Sequence, residues 1–231
     1  MKLLPLIVLA LLQDADRMEA ALKKAGDRSY KITMGGESVG TLTMKTRVEK
    51  KGNSTVAIFE DQMEMARGGE KMQMTMKETA ALSHLRILSA QRGGKDMDWS
   101  VSISGNKAVM KVEGREQTIE ITEATVGESG LLRILSAAEQ KEKASFKVDV
   151  LSMTSERLEK DHRFSCLGKD AVDVGGKKID AFKWEEKGEW KFTRNGVPVT
   201  SKVDNSYWVS AEGYLVRSIG PNGMEIVLQS K

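Results

Sequence analysis

The sequence has 231 residues, of which 40% are hydrophobic and 30% are charged, and its formal net charge is +3. This composition predicts a soluble chain that buries a real core without disulfides or metals, and it argues against a disordered protein. The 36 basic and 33 acidic residues are interspersed. They do not form the basic face that nucleic-acid binding requires, so we predict no nucleic-acid partner.

The N-terminus has the pattern of a secretory signal. Met1 and Lys2 give a short positive segment, and residues 3–12 are apolar apart from Pro5. A run of this length fits the hydrophobic region of a signal peptide and is shorter than the roughly 20 residues that span a bilayer as a helix. We therefore predict a signal peptide over residues 1–13 and export to the periplasm or the extracellular space, with no stable membrane span. Because an Ala-x-Ala cleavage pattern is missing, a buried N-terminal helix or strand stays open as the alternative.

The remaining residues, 14–231, are predicted to form one β-rich domain that begins with a helix. Residues 14–26 place Met18, Ala21 and Leu22 on one helical face, and Gly26 supplies a left-handed stop. From residue 30 onward, apolar residues recur with a period of two, and pairs of turn residues such as Gly-Gly separate the segments. This alternation predicts strands joined by connections that are too short for the crossover helices of a parallel sheet.

A second helix is predicted in the middle of the chain, over the leucine-rich residues 127–140. The predicted fold class is therefore mainly β: a curved antiparallel sheet, or a half-open barrel or sandwich, with an N-terminal helix and one short central helix. The hexapeptide Leu-Arg-Ile-Leu-Ser-Ala occurs at residues 85–90 and again at 132–137. The flanks of the two copies differ, so we assign the first to a strand and the second to the central helix, and treat the repetition as coincidence.

The C-terminal half carries the cysteine and three of the tryptophans. Cys166 is the one cysteine, and it lies too far from the N-terminus to be an acyl anchor. Its strand-like surroundings predict a small buried hydrophobic side chain and no catalytic thiol. Trp184, Trp190 and Trp208 are predicted to close the core of this half, because tryptophan buries a large area.

The side chains that carry most enzymatic chemistry are scarce. His84 and His162 are the two histidines, and neither has a second histidine or cysteine at metal-ligand spacing. Asp161 directly precedes His162, but neighbouring residues on a strand point to opposite faces, so they are not expected to pair. The glycines occur in turn-like pairs and in no nucleotide-binding pattern. We therefore predict no catalytic residues, no metal and no cofactor, and a protein that is not an enzyme.

Methionine has the most uneven distribution in the sequence. Of 13 methionines, nine lie between residues 30 and 110, and residues 71–77 alternate methionine with polar residues. Flexible thioethers line apolar surfaces that accept varied ligands, and they also fill irregular cores. We predict that an apolar ligand binds a concave sheet face through Met34, Met44, Met72, Met74 and Met76. That these methionines form only the core of the sheet stays open as the alternative.

Three segments together resemble a known family. Residues 30–40 read Tyr-Lys-Ile-Thr-Met-Gly-Gly-Glu-Ser-Val-Gly, residues 167–183 read Leu-Gly-Lys-Asp-Ala-Val-Asp-Val-Gly-Gly-Lys-Lys-Ile-Asp-Ala-Phe-Lys, and residues 207–218 read Tyr-Trp-Val-Ser-Ala-Glu-Gly-Tyr-Leu-Val-Arg-Ser. Their order resembles a family of exported bacterial β domains of unknown function, which is distantly similar in plan to the periplasmic lipoprotein carriers. The resemblance implies a curved antiparallel sheet, and the carriers hold acyl chains in a concave apolar face. It transfers no catalytic or binding residue, because no motif of the carriers is matched.

Three functional hypotheses follow. The leading one is an exported envelope protein that binds or carries a lipid or a hydrophobic peptide in a methionine-lined concavity. The second is a structural or interaction module of the cell envelope, which pairs a sheet edge or a flat face with an envelope protein partner. The third is an enzyme with an unrecognised site that uses Asp96, Asp98 or His162, and it requires polar side chains that converge in a cleft.

Overall fold

The computed structural model describes residues 15–67, 70–94, 99–153, 155–194, 197–220 and 223–229. The predicted signal peptide, residues 1–13, lies outside these described residues, as do Asp96, Asp98 and the side chain of Trp190.

The described residues form two helices and fifteen strands. Helix α1 is Ala15–Ala25 and helix α2 is Glu128–Ala137. The strands in chain order are β1 (Arg28–Met34), β2 (Glu37–Lys51), β3 (Ser54–Arg67), β4 (Glu70–Ala81), β5 (Ile87–Gly94), β6 (Trp99–Ser104), β7 (Lys107–Val112), β8 (Arg115–Glu120), β9 (Thr125–Gly127), β10 (Ser145–Ser152), β11 (Arg157–Val174), β12 (Lys177–Arg194), β13 (Val197–Ser210), β14 (Leu215–Ile219) and β15 (Met224–Leu228).

All of these strands belong to one sheet, in the order β8-β7-β6-β5-β4-β3-β2-β1-β15-β14-β13-β12-β11-β10-β9. Neighbours are antiparallel except β9 and β10, which are parallel and are connected through α2. The first and last strands, β1 and β15, pair in the middle and so join the two halves of the sheet. The prediction of a mainly β fold with a curved sheet, an N-terminal helix and one short central helix is confirmed.

The sheet curves until its two edges approach each other, but it stays open. An isolated bridge connects Arg86, just before β5, with Val126 of the edge strand β9. Near the other edge strand, β8, Gln117 Nε2 donates to the carbonyl oxygen of Glu156 at 2.8 Å. This curvature gives the sheet an inner face and an outer face, and both helices cover the centre of the inner face.

The main core fills the space between the helices and the inner face. Met18 and Leu22 of α1 and Ile134 and Leu135 of α2 are buried in it. Gly26 has the predicted left-handed conformation, with φ +55°, and its N–H donates to the carbonyl oxygen of Leu22. Members of this core from the strands include Tyr30, Ile32, Phe59, Phe146, Phe164, Cys166, Trp184 and Tyr207. The prediction that Cys166 is a buried hydrophobic side chain is confirmed.

The two C-terminal tryptophans whose side chains are described lie on opposite faces of the sheet. Trp184 is buried in the main core, whereas Trp208 packs in a separate cluster on the outer face. Trp184 pairs with Tyr207 in the register of β12 and β13, so residue 208 points the other way. Both side chains are buried in the C-terminal half, as predicted, but they lie in two clusters on opposite faces of the sheet.

The repeated hexapeptide adopts two different structures. The second copy lies within α2, as predicted. In the first copy the strand begins at Ile87, two residues later than predicted, because Leu85 has a left-handed φ of +51°. The six residues alone therefore do not determine the conformation.

A buried polar group, the α2 anchor, holds α2 on the sheet and consists of Asp61, Glu78, Ser129 and Arg133. The Glu78 carboxyl group accepts hydrogen bonds from the backbone N–H of Ser129 at 3.1 Å and of Gly130 at 3.2 Å, in the first turn of α2. Asp61 Oδ2 accepts from Ser129 Oγ at 2.7 Å and from the Arg133 guanidinium at 2.8 Å. A Cβ at Gly127 would lie 2.2 Å from Glu78 Oε2, so a side chain there would displace the Glu78 carboxyl group from the start of α2.

Replacing Asp61 with alanine leaves the Arg133 guanidinium, which is only 2% exposed, without its carboxylate partner. Breaking one side of a buried ion pair is strongly destabilising, so we expect the free energy of unfolding to fall by about 3 to 5 kcal/mol in urea denaturation followed by circular dichroism. Glu116→Ala removes an exposed ion pair with Lys111 and is the control, with an expected loss below about 1 kcal/mol. Equal losses in the two variants would contradict the anchoring role.

Candidate functional site

The five methionines predicted to bind a ligand lie on β1, β2 and β4. They alternate with residues of the outer face and so belong to the inner face of the sheet. Met44 and Met76 are 6% and 8% exposed and are buried in core clusters. Met34 and Met74 are half-buried, and Met72 is 50% exposed. The structure thus divides the predicted set between the core and the surface.

Two further methionines stand beside the exposed ones. In the register of β3 and β4, Met63 is opposite Met74 and Met65 is opposite Met72. These four residues form the methionine patch: Met63, Met65, Met72 and Met74. Met63 and Met65 are half-buried and pack against the main core. The alternation of methionine with polar residues over residues 62–65 already indicates that Met63 and Met65 share one face of a strand. It does not indicate which strand lies beside them.

The methionine patch lies at the ends of β3 and β4 and is flanked by glycines. Gly40 of β2 is opposite Met65, and Gly94 of β5 is opposite Met74. A Cβ would lie 2.0 Å from the carbonyl oxygen of Glu64 at Gly40 and 2.9 Å from that of Gln73 at Gly94. The neighbouring strands therefore approach closely, and Gly40 and Gly94 place no side chain beside Met65 and Met74. Such a surface can hold an apolar group by dispersion and burial.

A second polar group, the histidine cluster, joins three strands of the other half of the sheet; it consists of Glu159, His162, Glu186 and Tyr207. Glu186 contacts His162 Nδ1 through Oε1 and accepts a hydrogen bond from the Tyr207 hydroxyl through Oε2, each at 2.5 Å. His162 Nε2 lies 3.5 Å from Glu159 Oε2. Burial lowers the pKa of His162, but hydrogen bonds and charges from Glu159 and Glu186 outweigh it and raise the pKa to about 9.

A β-bulge creates the histidine cluster. The register of β10 and β11 shifts between Val148 and Val150, and Asp161 has a φ of +67°. The extra residue places Glu159 and His162 on the same face, although positions three apart on a regular strand face opposite ways. Sequence reasoning missed this cluster because alternation alone cannot locate a bulge.

The histidine cluster holds strands together and does not accept a proton at neutral pH. At neutral pH the His162 imidazolium already holds its proton between two carboxylates, and the side chain is 2% exposed. Asp161 points to solvent and pairs with Lys147, as expected for neighbours on a strand. Among the described residues, no three His, Cys, Asp or Glu side chains are grouped to hold a metal ion.

The fold is similar to that of solved bacterial proteins. A beta-barrel-like protein of domain of unknown function DUF1849 from Brucella abortus matches with a TM-score of 0.55 at 10% identity, over 87% of this chain and 94% of that chain. A putative exported protein with a YmcC-like fold from Bacteroides fragilis gives 0.41 at 9% identity, over 89% and 94%. The hypothetical lipoprotein YmcC from Escherichia coli gives 0.39 at 13% identity, over 94% and 91%.

No family model matches the sequence, and no curated protein is significantly similar to it. The Brucella structure confirms, for the fold, the predicted resemblance to bacterial β domains of unknown function. At 10% identity the similarity concerns the fold alone and transfers no residue and no activity. Within the described part of the chain, neither helix is long and apolar enough to cross a membrane.

The raised pKa of His162 predicts a loss of stability at alkaline pH. The folded value of about 9 exceeds the ordinary value of 6.5, so the stabilisation is complete below pH 6.5 and disappears as the pH rises through 9. We expect the free energy of unfolding of the wild type, minus that of His162→Gln, to decrease over this range in urea denaturation.

The imidazole Cε1 proton signals in an NMR titration measure the same property directly. With two histidines in the chain, the His84→Gln variant identifies the signal of His162, which should titrate near pH 9. A midpoint at or below 6.5 would show that the carboxylates do not hold the proton.

Proposed function

We propose that this protein is an exported, non-enzymatic β protein that binds the acyl chain of a lipid at the methionine patch. The observation that carries the proposal is a group of four paired methionines at one end of the β3–β4 hairpin, with Met72 half exposed and the other three half-buried. A contiguous, partly exposed apolar group is typical of an interaction site.

An acyl chain suits the patch better than a peptide does. At the patch, β3 is paired with β2 and β4, and β4 is paired with β3 and, from Met74 onward, with β5. The backbone of Met63, Met65 and Met74 is therefore paired on both sides and offers no edge to the amides of a peptide, which would be buried there without partners. An acyl chain has no such groups, and each buried methylene contributes about 0.8 kcal/mol.

Separate observations support export and a role without catalysis. The positive start and apolar run of residues 1–12 favour passage through a secretion system to the periplasm or the extracellular space. The protonated, buried state of His162 leaves it unable to accept a proton from a substrate at neutral pH.

Binding can be tested with dansyl-labelled undecanoic acid, whose fluorescence rises in an apolar site. We expect saturable binding by the wild type and at least tenfold weaker binding by the double variant Met72→Gln, Met74→Gln, because the patch loses apolar contact area. Leu167→Gln is the matched control, since Leu167 is 49% exposed and lies on β11 in the other half of the sheet.

Circular dichroism and thermal unfolding of each variant test whether it keeps the fold, and we expect all of them to do so. Absence of binding by the wild type, or an equal loss in Leu167→Gln, would overturn the proposed function. Displacement of the fatty acid by an apolar peptide as effectively as by unlabelled fatty acid would overturn the choice of an acyl chain.

A further inference from the structure

The sheet forks between β11 and β12. Their ladder runs from the hairpin turn to the pair Arg163–Lys187 and ends there. Beyond this pair, β12 continues to Arg194 along β13, while residues 157–162 of β11 stay with β10. Among the described residues, neither of the two diverging edges has a strand partner on the side of the fork.

The part of β12 and β13 beyond the fork is a two-stranded ribbon, which we call the arm: residues 188–194 and 197–205. Its second edge is also unpaired within the described chain, because the ladder between β13 and β14 begins only at Ser206. A two-stranded hairpin is marginally stable by itself in water. Rows of unpaired backbone N–H and C=O groups are also a template for another strand.

The histidine cluster lies at the point of divergence. His162 belongs to β11, its partner Glu186 belongs to β12, and Tyr207 on β13 donates to the same carboxylate. A Cβ at Gly188 would lie 3.3 Å from His162 Nδ1, so the absence of a side chain leaves room for the ring at the first residue of the arm. These contacts hold the strands together at the apex of the fork.

A cleft of about 830 Å³ occupies the fork, within the usual size range of binding sites. Its lining carries charges of both signs: Lys160, Arg163 and Lys202 are basic, and Asp161, Glu189 and Asp204 are acidic. The Asp161 N–H donates to the side chain of Asp149 at 3.1 Å. Charged side chains along a free edge discourage indiscriminate pairing, so a strand that enters must carry complementary charges.

We propose that this cleft accepts an extended segment of another protein, which adds as a strand to the free edge of the arm. An extended backbone is the ligand that satisfies a row of unpaired backbone groups, and alternating side chains give it specificity. Opposite charges on the segment meet Lys160, Arg163, Lys202 and Asp204 of the lining. This site is separate from the methionine patch, which lies on β3 and β4 in the other half of the sheet.

The probe is a display library of ten-residue peptides that alternate Val or Thr with Lys or Glu. We expect selected peptides to bind the full-length protein and to slow hydrogen exchange of the backbone amides in residues 188–194. A copy of each peptide, N-methylated on the amides that pair with the arm, keeps the side chains but cannot donate hydrogen bonds. It should bind at least tenfold more weakly.

A shortened arm provides the matched protein control. Glu189 and Lys202 are directly opposite in the register of β12 and β13, so an Asn-Gly turn between them can replace residues 190–201 as a tight hairpin. This variant keeps the histidine cluster, the methionine patch and the residues that line the cleft, and it removes only the part of the free edge beyond Glu189. We expect it to fold, to bind dansyl-labelled undecanoic acid like the wild type, and to lose peptide binding.

The proposal is overturned if no peptide is selected, if the N-methylated copies bind equally well, or if the shortened arm binds peptides like the wild type. A dimer of the wild type in sedimentation that dissociates when the arm is shortened would assign the added strand to a second copy of this chain. That result would also overturn the proposed partner.

Discussion

The position of α2 on the inner face determines which part of that face stays exposed. Placing the charges of Asp61 and Arg133 in a core is unfavourable unless each is paired and hydrogen-bonded, and here each is. The carboxyl group of Glu78, whose pKa burial raises to about 8, accepts hydrogen bonds from the first turn of the helix. Because these contacts fix the start of α2 beside the middle of β4, the helix does not cover the ends of β3 and β4. The methionine patch is what remains uncovered.

Alternation along the chain was sufficient to predict the class of fold, because a strand with one buried face repeats apolar residues with a period of two. It was not sufficient where neighbouring elements decide the conformation. In the two copies of Leu-Arg-Ile-Leu-Ser-Ala, Arg133 reaches Asp61 across the core, whereas Arg86 donates to the carbonyl oxygen of Gly105 and pairs with Glu123. The partners of these arginines lie far away in the sequence, so a local pattern cannot contain them.

For the candidate sites, too, the sequence indicates which neighbouring residues share a face but not what they contact in the folded protein. The pattern around Met72 and Met74 identifies their common face, but the register that adds Met63 and Met65 and the burial of Met44 and Met76 are tertiary properties. The histidine cluster depends on a bulge, which changes which residues share a face and leaves little trace in composition. The fork depends on where a ladder ends, and the uninterrupted strand pattern of β12 does not reveal it.

The pairing of β1 with β15 determines when the protein can finish folding. Thr33 and Glu225 contact each other across 192 residues of chain, so the two halves of the sheet become continuous only after the last strand has been made. Contacts between residues so far apart in the sequence form slowly, because a large loop must close first. Until then β1 is an open edge, and its unpaired backbone groups are a template on which another chain can pair. The pairing with β15 therefore also protects the folded protein from edge-to-edge association.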